Sequence, residues 1–130
     1  MLKKIAILSA FLGLAATRAF AGYHSEYPVW VNTSMGWALG SMSSAAAAAN
    51  TVEYIGCSLW SQEYLGTTTI QASCIARNSA GVTLSCRTQA EPMTRAVASI
   101  TPYSHIEFQV DSGGICTVFR VTTSSYYNPR

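Results

Sequence analysis

Charge is scarce in this chain, and most of what is scarce has a chemical meaning. Lysine is confined to Lys3 and Lys4, aspartate occurs once as Asp111, and histidine occurs only as His24 and His105. Without lysine in the body of the chain, a Ser-x-x-Lys nucleophile is excluded. No Gly-x-Ser-x-Gly is present, and the lone aspartate lies in a turn-forming stretch, which leaves a Ser-His-Asp triad no convincing acid. Five glutamates are scattered and nothing pairs them as facing carboxyl groups, as glycoside hydrolysis requires. Clustered oxygen acids for a calcium loop are absent. The residues nominate no catalytic set, no metal ligands and no cofactor.

The first twenty-one residues carry the clearest address. Met1-Leu2-Lys3-Lys4 is a short basic start, Ile5 to Ala16 is an apolar run, and Ala19-Phe20-Ala21 supplies small residues at the two positions a signal peptidase reads. The apolar stretch is about a dozen residues, and a membrane span needs about twenty. Cleavage is therefore expected after Ala21, and no lipid-bearing cysteine follows the cut. Residues 22–130 then form a single secreted, β-rich domain, periplasmic or extracellular. Removing the leader takes away Lys3, Lys4 and Arg18. Five arginines and six acids remain, a net charge of −1. The basic balance thus belongs to the precursor. Nucleic-acid binding, which needs clustered Lys and Arg to neutralise phosphates, is not expected.

Cysteine is the other scarce residue, and its context defines it. Cys57, Cys74, Cys86 and Cys116 are separated by 17, 12 and 30 residues. Zinc sites want paired ligands at short spacing, and an oxidising compartment favours disulfides. Turns rank the pairings. Gly81 in the turn Asn78-Ser79-Ala80-Gly81 suits a left-handed position and brings Cys74 opposite Cys86. A turn on Leu65-Gly66 would instead place Cys57 opposite Cys74, but leucine is poorly suited to the positive φ that turn demands. The expected bonds are Cys74–Cys86 and Cys57–Cys116; sequence alone does not decide among the three connectivities.

β-Structure dominates the remainder. Ser104 to Val110 alternates strictly, with Ile106, Phe108 and Val110 on one face, and Ile115 to Thr123 is rich in β-branched and aromatic residues. Asp111-Ser112-Gly113-Gly114 joins the two as a hairpin. A four-residue loop pairs Val110 with Ile115, and a three-residue loop pairs it with Cys116; the choice moves every facing residue. Thr51 to Ser61 and Thr67 to Arg77 read as strands. Pro28 to Met42 reads as a short hairpin with Val29, Val31, Trp37 and Leu39 as apolar contacts. Pro92 at a first turn, with Met93, Val97 and Ile100 on one face, predicts a helix ending before Pro102. Ser43 to Asn50, with its five alanines, is expected to be a surface loop or one helical turn. The fold expected is a small antiparallel β-sandwich or partly closed barrel of six or seven strands, with one short helix and two disulfides.

Two groups of side chains are candidates for function. Under the four-residue loop, His105 faces Arg120 with Glu107 diagonal to it, a small acid–base or anion-binding cluster or else an exposed cross-strand pair. Aromatics are in surplus for so small a core. Trp30, Trp37, Trp60, Tyr126 and Tyr127 are the candidate binding residues, because exposed rings stack on sugars and anchor interfaces. Asn32-Thr33-Ser34 matches a glycosylation sequon, which the bacterial character of the leader leaves without consequence.

Val52-Glu53-Tyr54-Ile55-Gly56-Cys57, Cys74-Ile75-Ala76-Arg77-Asn78 and Thr123-Ser124-Ser125-Tyr126 resemble segments of a group of small exported four-cysteine proteins of Gram-negative bacteria. The resemblance spans about residues 50–130 and leaves out the alanine run. It implies export and assigns no site residues. The expected function is an exported, non-catalytic protein that binds an envelope or extracellular polysaccharide, or a protein. The alternatives are a self-associating surface or matrix component and an inhibitor of a secreted hydrolase.

Overall fold

The computed structural model describes residues 25–127; the expected leader, the cut after Ala21 and His24 lie outside the described residues. Seven strands and two helices follow in the order β1 (Trp30–Asn32), β2 (Trp37–Ser41), α1 (Met42–Ala47), β3 (Tyr54–Tyr64), β4 (Thr67–Arg77), β5 (Thr83–Thr88), α2 (Glu91–Ala98), β6 (Ser104–Val110) and β7 (Cys116–Thr123). A single 3-10 turn, Ser125–Tyr127, follows β7. The strands form two antiparallel sheets, one ordered β1-β2-β6-β7 and one ordered β3-β4-β5. The chain is mainly β, as its alternation predicts.

The core lies between the sheets and is built from small and medium side chains. Ile106 and Phe108 on β6, Ala38 on β2, and Ala72, Cys74 and Ala76 on β4 are fully buried or nearly so. Ala38 stands opposite Phe108, and Gly40 opposite Ile106, so the large residues of β6 fill space that β2 leaves empty. Helix α2 begins at Glu91 with proline in its first turn, buries Val97 and packs Met93 and Ile100 against the core. It carries the chain from one sheet to the other, which is how β6 joins β2 instead of β5.

Turn chemistry explains most of the connections. Asn78 accepts from the backbone N–H groups of Ala80 and Val82 through its side-chain oxygen, at 3.1 and 2.9 Å, and Gly81 takes φ +80°. Asp111 Oδ1 accepts from the N–H groups of Gly113 and Ile115 at 2.8 and 2.9 Å, so the single aspartate organises a loop. Gly36 has φ +61°, and a side chain there would meet the Val110 carbonyl.

Two expectations are corrected. The disulfides are Cys57–Cys74 and Cys86–Cys116. The hairpin register that motivated the other pairing is present, for Cys74 does stand opposite Cys86, but it also stands opposite Cys57. In an antiparallel sheet a residue of a middle strand directs both its N–H and its C=O to one side. It therefore makes a hydrogen-bonded, wide pair with one neighbour and a narrow pair with the other. Cys57 and Cys74 have Cα atoms 4.0 Å apart, the narrow pair, and the bond forms there. The turn argued against this pairing does form. Leu65 and Gly66 take φ +50° and +77°, because a ladder of eleven residue pairs outweighs a local cost of about 1–2 kcal/mol for one left-handed leucine.

Of the two loops expected between β6 and β7 the three-residue one forms, and the second correction is the facing of His105 and Arg120, which rested on the other. Val110 pairs with Cys116, and an irregularity between Gln109 and Val110 then places Gln109 opposite Val118. Thr117 is the extra residue of a bulge. Glu107 therefore faces Arg120, and His105 faces Thr122. The four-residue loop, with His105 opposite Arg120, is excluded.

Candidate functional site

The outer face of the four-stranded sheet collects most of the polar and aromatic candidates. Val31, Ala38, Ile106 and Phe108 point inward, so their alternating neighbours Trp30, Trp37, Leu39, His105, Glu107, Gln109, Val118 and Arg120 belong to the other face. Trp30 stands opposite Leu39 and Trp37 opposite Asn32, which puts the two tryptophans on the diagonal of one four-residue block. Such diagonal neighbours lie about 7–8 Å apart, within reach of large rings. Trp30 is 44% exposed, whereas Trp37 is half-buried, with its indole N–H shielded and without an acceptor among the described residues.

The expected polar cluster is present in altered form. Arg120 donates to Glu107 at 3.3 Å, with the arginine largely in solvent and the carboxylate largely covered. A pair of this kind contributes little stability. On this face it supplies one fixed acceptor and one displayed donor group.

His105 does not join that pair. Its ring stacks on Tyr127 at a centroid distance of 5.2 Å and meets the edge of Tyr27 at 5.3 Å. Nδ1 is shielded and has no partner among the described residues. Tyr27 and Tyr126 share a hydrogen bond between hydroxyls at 3.3 Å. Ser25 donates to the Tyr126 carbonyl at 3.2 Å, and Ser43 donates to that of Tyr127. Tyr126 and Tyr127 are thus half-buried parts of a clasp that folds the segment after β7 back against the segment before β1. Tyr27 was not singled out in the sequence; only the return of residues 125–127 to this end of the sheet brings it beside His105.

The clasp has a pH signature. Burial lowers the His105 pKa from its ordinary value of 6.5, and the nearby Glu107 carboxylate only partly opposes this. The unfolded chain therefore binds a proton more readily than the folded one. The contribution of neutral His105 is present above the unfolded pKa and is lost as pH falls below about 6.5. Thermal melts from pH 8 to pH 5 are expected to show a fall in Tm through that window. His105→Gln removes the fall; an unchanged pH profile in this variant would assign the effect elsewhere.

Trp60 lies on the other sheet. It stands opposite Gln71 on the distal half of the β3–β4 hairpin and is 52% exposed. A nearby depression of about 420 Å³ is lined by Gln71, Arg87, Thr88, Gln89 and Ile115. The five aromatic candidates are thereby divided among three places: Trp30 and Trp37 on one face, Trp60 on the projecting hairpin, and Tyr126 with Tyr127 in the clasp. No group of three or more His, Cys, Asp or Glu among the described residues is placed to hold a metal ion. No described helix is long and apolar enough to cross a membrane. No protein-family profile, curated protein or solved structure matches this chain.

Proposed function

We propose that this chain is an exported, non-catalytic binding protein that meets an envelope or extracellular polysaccharide on the outer face of its four-stranded sheet. The observation that carries the reading is the placement of Trp30 and Trp37 on one diagonal of that face, on β1 and β2, next to the strands β6 and β7 that carry the Glu107–Arg120 pair. A sugar ring presents an apolar face to an indole and a rim of hydroxyls to amide, carboxylate and guanidinium groups. Asn32, Gln109, Glu107 and Arg120 supply those groups beside the rings. Export rests on the leader, on two disulfides and on the resemblance to small exported four-cysteine proteins. A protein ligand would use the same anchors and is the second outcome of the test.

Tryptophan fluorescence during titration with a panel of neutral and acidic polysaccharides reads the interaction directly. Trp30→Ala and Trp37→Ala are each expected to weaken binding about 10-fold or more, on the scale of 1–3 kcal/mol per stacked ring. Affinities that stay the same in the double variant, with its circular dichroism intact, would overturn the assignment of this face.

A further inference from the structure

The second sheet carries an unguarded edge. β3 and β4 pair along eleven residues each, but β5 pairs only with Ala72–Arg77 of β4. The distal half of the hairpin therefore extends past the sheet as a two-stranded arm. Every residue of β3 from Ser58 to Tyr64 is exposed, including Leu59 at 47%, Trp60 at 52% and Tyr64 at 69%. β3 is an outer strand of its sheet, and among the described residues no backbone hydrogen bond outside the ladder involves residues 58–64.

The other edges are protected. β1 is three residues long. The edge of β5 is covered where Arg87 N–H donates to the Gly114 carbonyl at 3.0 Å, beside the Cys86–Cys116 bond. β7 carries the exposed Arg120 and a bulge. Residues 58–64 have no lysine, arginine or proline, and their register with β4 is unbroken. Edge strands left without these devices pair with other strands.

We propose that two copies of this chain join through this edge, as antiparallel β3 strands about a twofold axis at Ser61. The backbone sets the kind of occupant. Cys57 makes the narrow pair with Cys74, so the outward N–H and C=O groups belong to the odd-numbered residues Leu59, Ser61 and Glu63. Alternating donors and acceptors in an extended row are satisfied by another strand.

The side chains favour a second copy. An axis at Ser61 places Leu59 opposite Glu63 of the second copy, Trp60 opposite Gln62, and Ser58 opposite Tyr64. All three outward-facing residues then find outward-facing partners, and the pairing stays within the exposed stretch. Glu63 is the only charge on the segment. It meets a leucine, while the two Glu63 carboxylates lie at opposite ends of the paired segment. The two Trp60 rings become diagonal neighbours, about 7–8 Å apart and able to stack. The product is one continuous six-stranded sheet, on a different sheet from the proposed ligand face.

Sedimentation equilibrium of the oxidised chain, combined with a charge swap, tests both the interface and its register. The wild type is expected to show a concentration-dependent monomer–dimer equilibrium. Leu59→Glu sets two glutamates face to face at both ends and is expected to weaken the dimer about tenfold. Adding Glu63→Lys puts opposite charges there and is expected to restore it. Leu59 is exposed, and circular dichroism verifies that both variants remain folded. A wild type that stays monomeric at about 1 mM, a dimer indifferent to Leu59→Glu, or a double variant as weak as the single would each overturn the proposal.

Discussion

Phe108→Ala is expected to lower the free energy of unfolding by about 3–5 kcal/mol, the largest loss from any single substitution considered. Phe108 is fully buried in the middle of β6, a strand with neighbours on both sides. The cost exceeds simple transfer of the ring to water, because the surroundings cannot close over the gap. Ala38 lies directly opposite, Gly40 lies two residues along, and the facing sheet contributes Ala72 and Ala76. Residues this small have no side-chain freedom with which to refill a space. Urea unfolding followed by circular dichroism measures the loss. A change below about 1 kcal/mol would show that the sheets collapse to fill the cavity, and that the core is less rigid than its close packing implies.

Removal of the Cys86–Cys116 bond, as the paired alanine variant, is expected to cost about 3–4 kcal/mol. Two effects combine. The bond closes a loop of 30 residues, and releasing it returns chain entropy to the unfolded state. It also joins β5 of one sheet to β7 of the other, whereas Cys57–Cys74 joins strands that are already hydrogen-bonded. Without it, the contact between Arg87 and Gly114 loses its anchor, and the edge of β5 opens. The Cys57/Cys74 variant, with a 17-residue loop inside a complete ladder, is expected to lose less. Melts of the two variants side by side give the comparison. If the Cys57/Cys74 variant is the less stable, the projecting hairpin depends on its bond for more than loop closure.

Local pattern and tertiary arrangement divided the structure between them. The alternation from Ser104 to Val110, the helix opened by Pro92, the short hairpin from Pro28 to Met42 and the turn at Asn78-Gly81 were all legible, because each depends on residues only a few positions apart. So were the scarcity of charge and the presence of a leader-like start, which depend on composition. The disulfide partners were not legible. Three cysteines lie in register across β3, β4 and β5, and which pair is narrow depends on the direction of the backbone hydrogen bonds of the middle strand.

The polar cluster was found by residue type and misplaced by register. His105, Glu107 and Arg120 were recognisable as neighbours on a hairpin, but the three-residue loop and the bulge at Thr117, one step of register each, together moved Arg120 from His105 to Glu107. No local signal marks that bulge, which sits at Thr117 beside Cys116, where the pairing of β7 begins. The same is true of the aromatics. Their number was evident from the sequence, and their distribution was not. Trp30 and Trp37 share a face because β1 and β2 pair, Trp60 projects because β5 is shorter than β4, and Tyr126 and Tyr127 are covered because residues 125–127 return to Tyr27 and His105. The sequence alone therefore determined the strand content and helix α2. Which side chains meet was decided only when the two sheets closed on one core, because register and face are properties of strand pairs and not of strands.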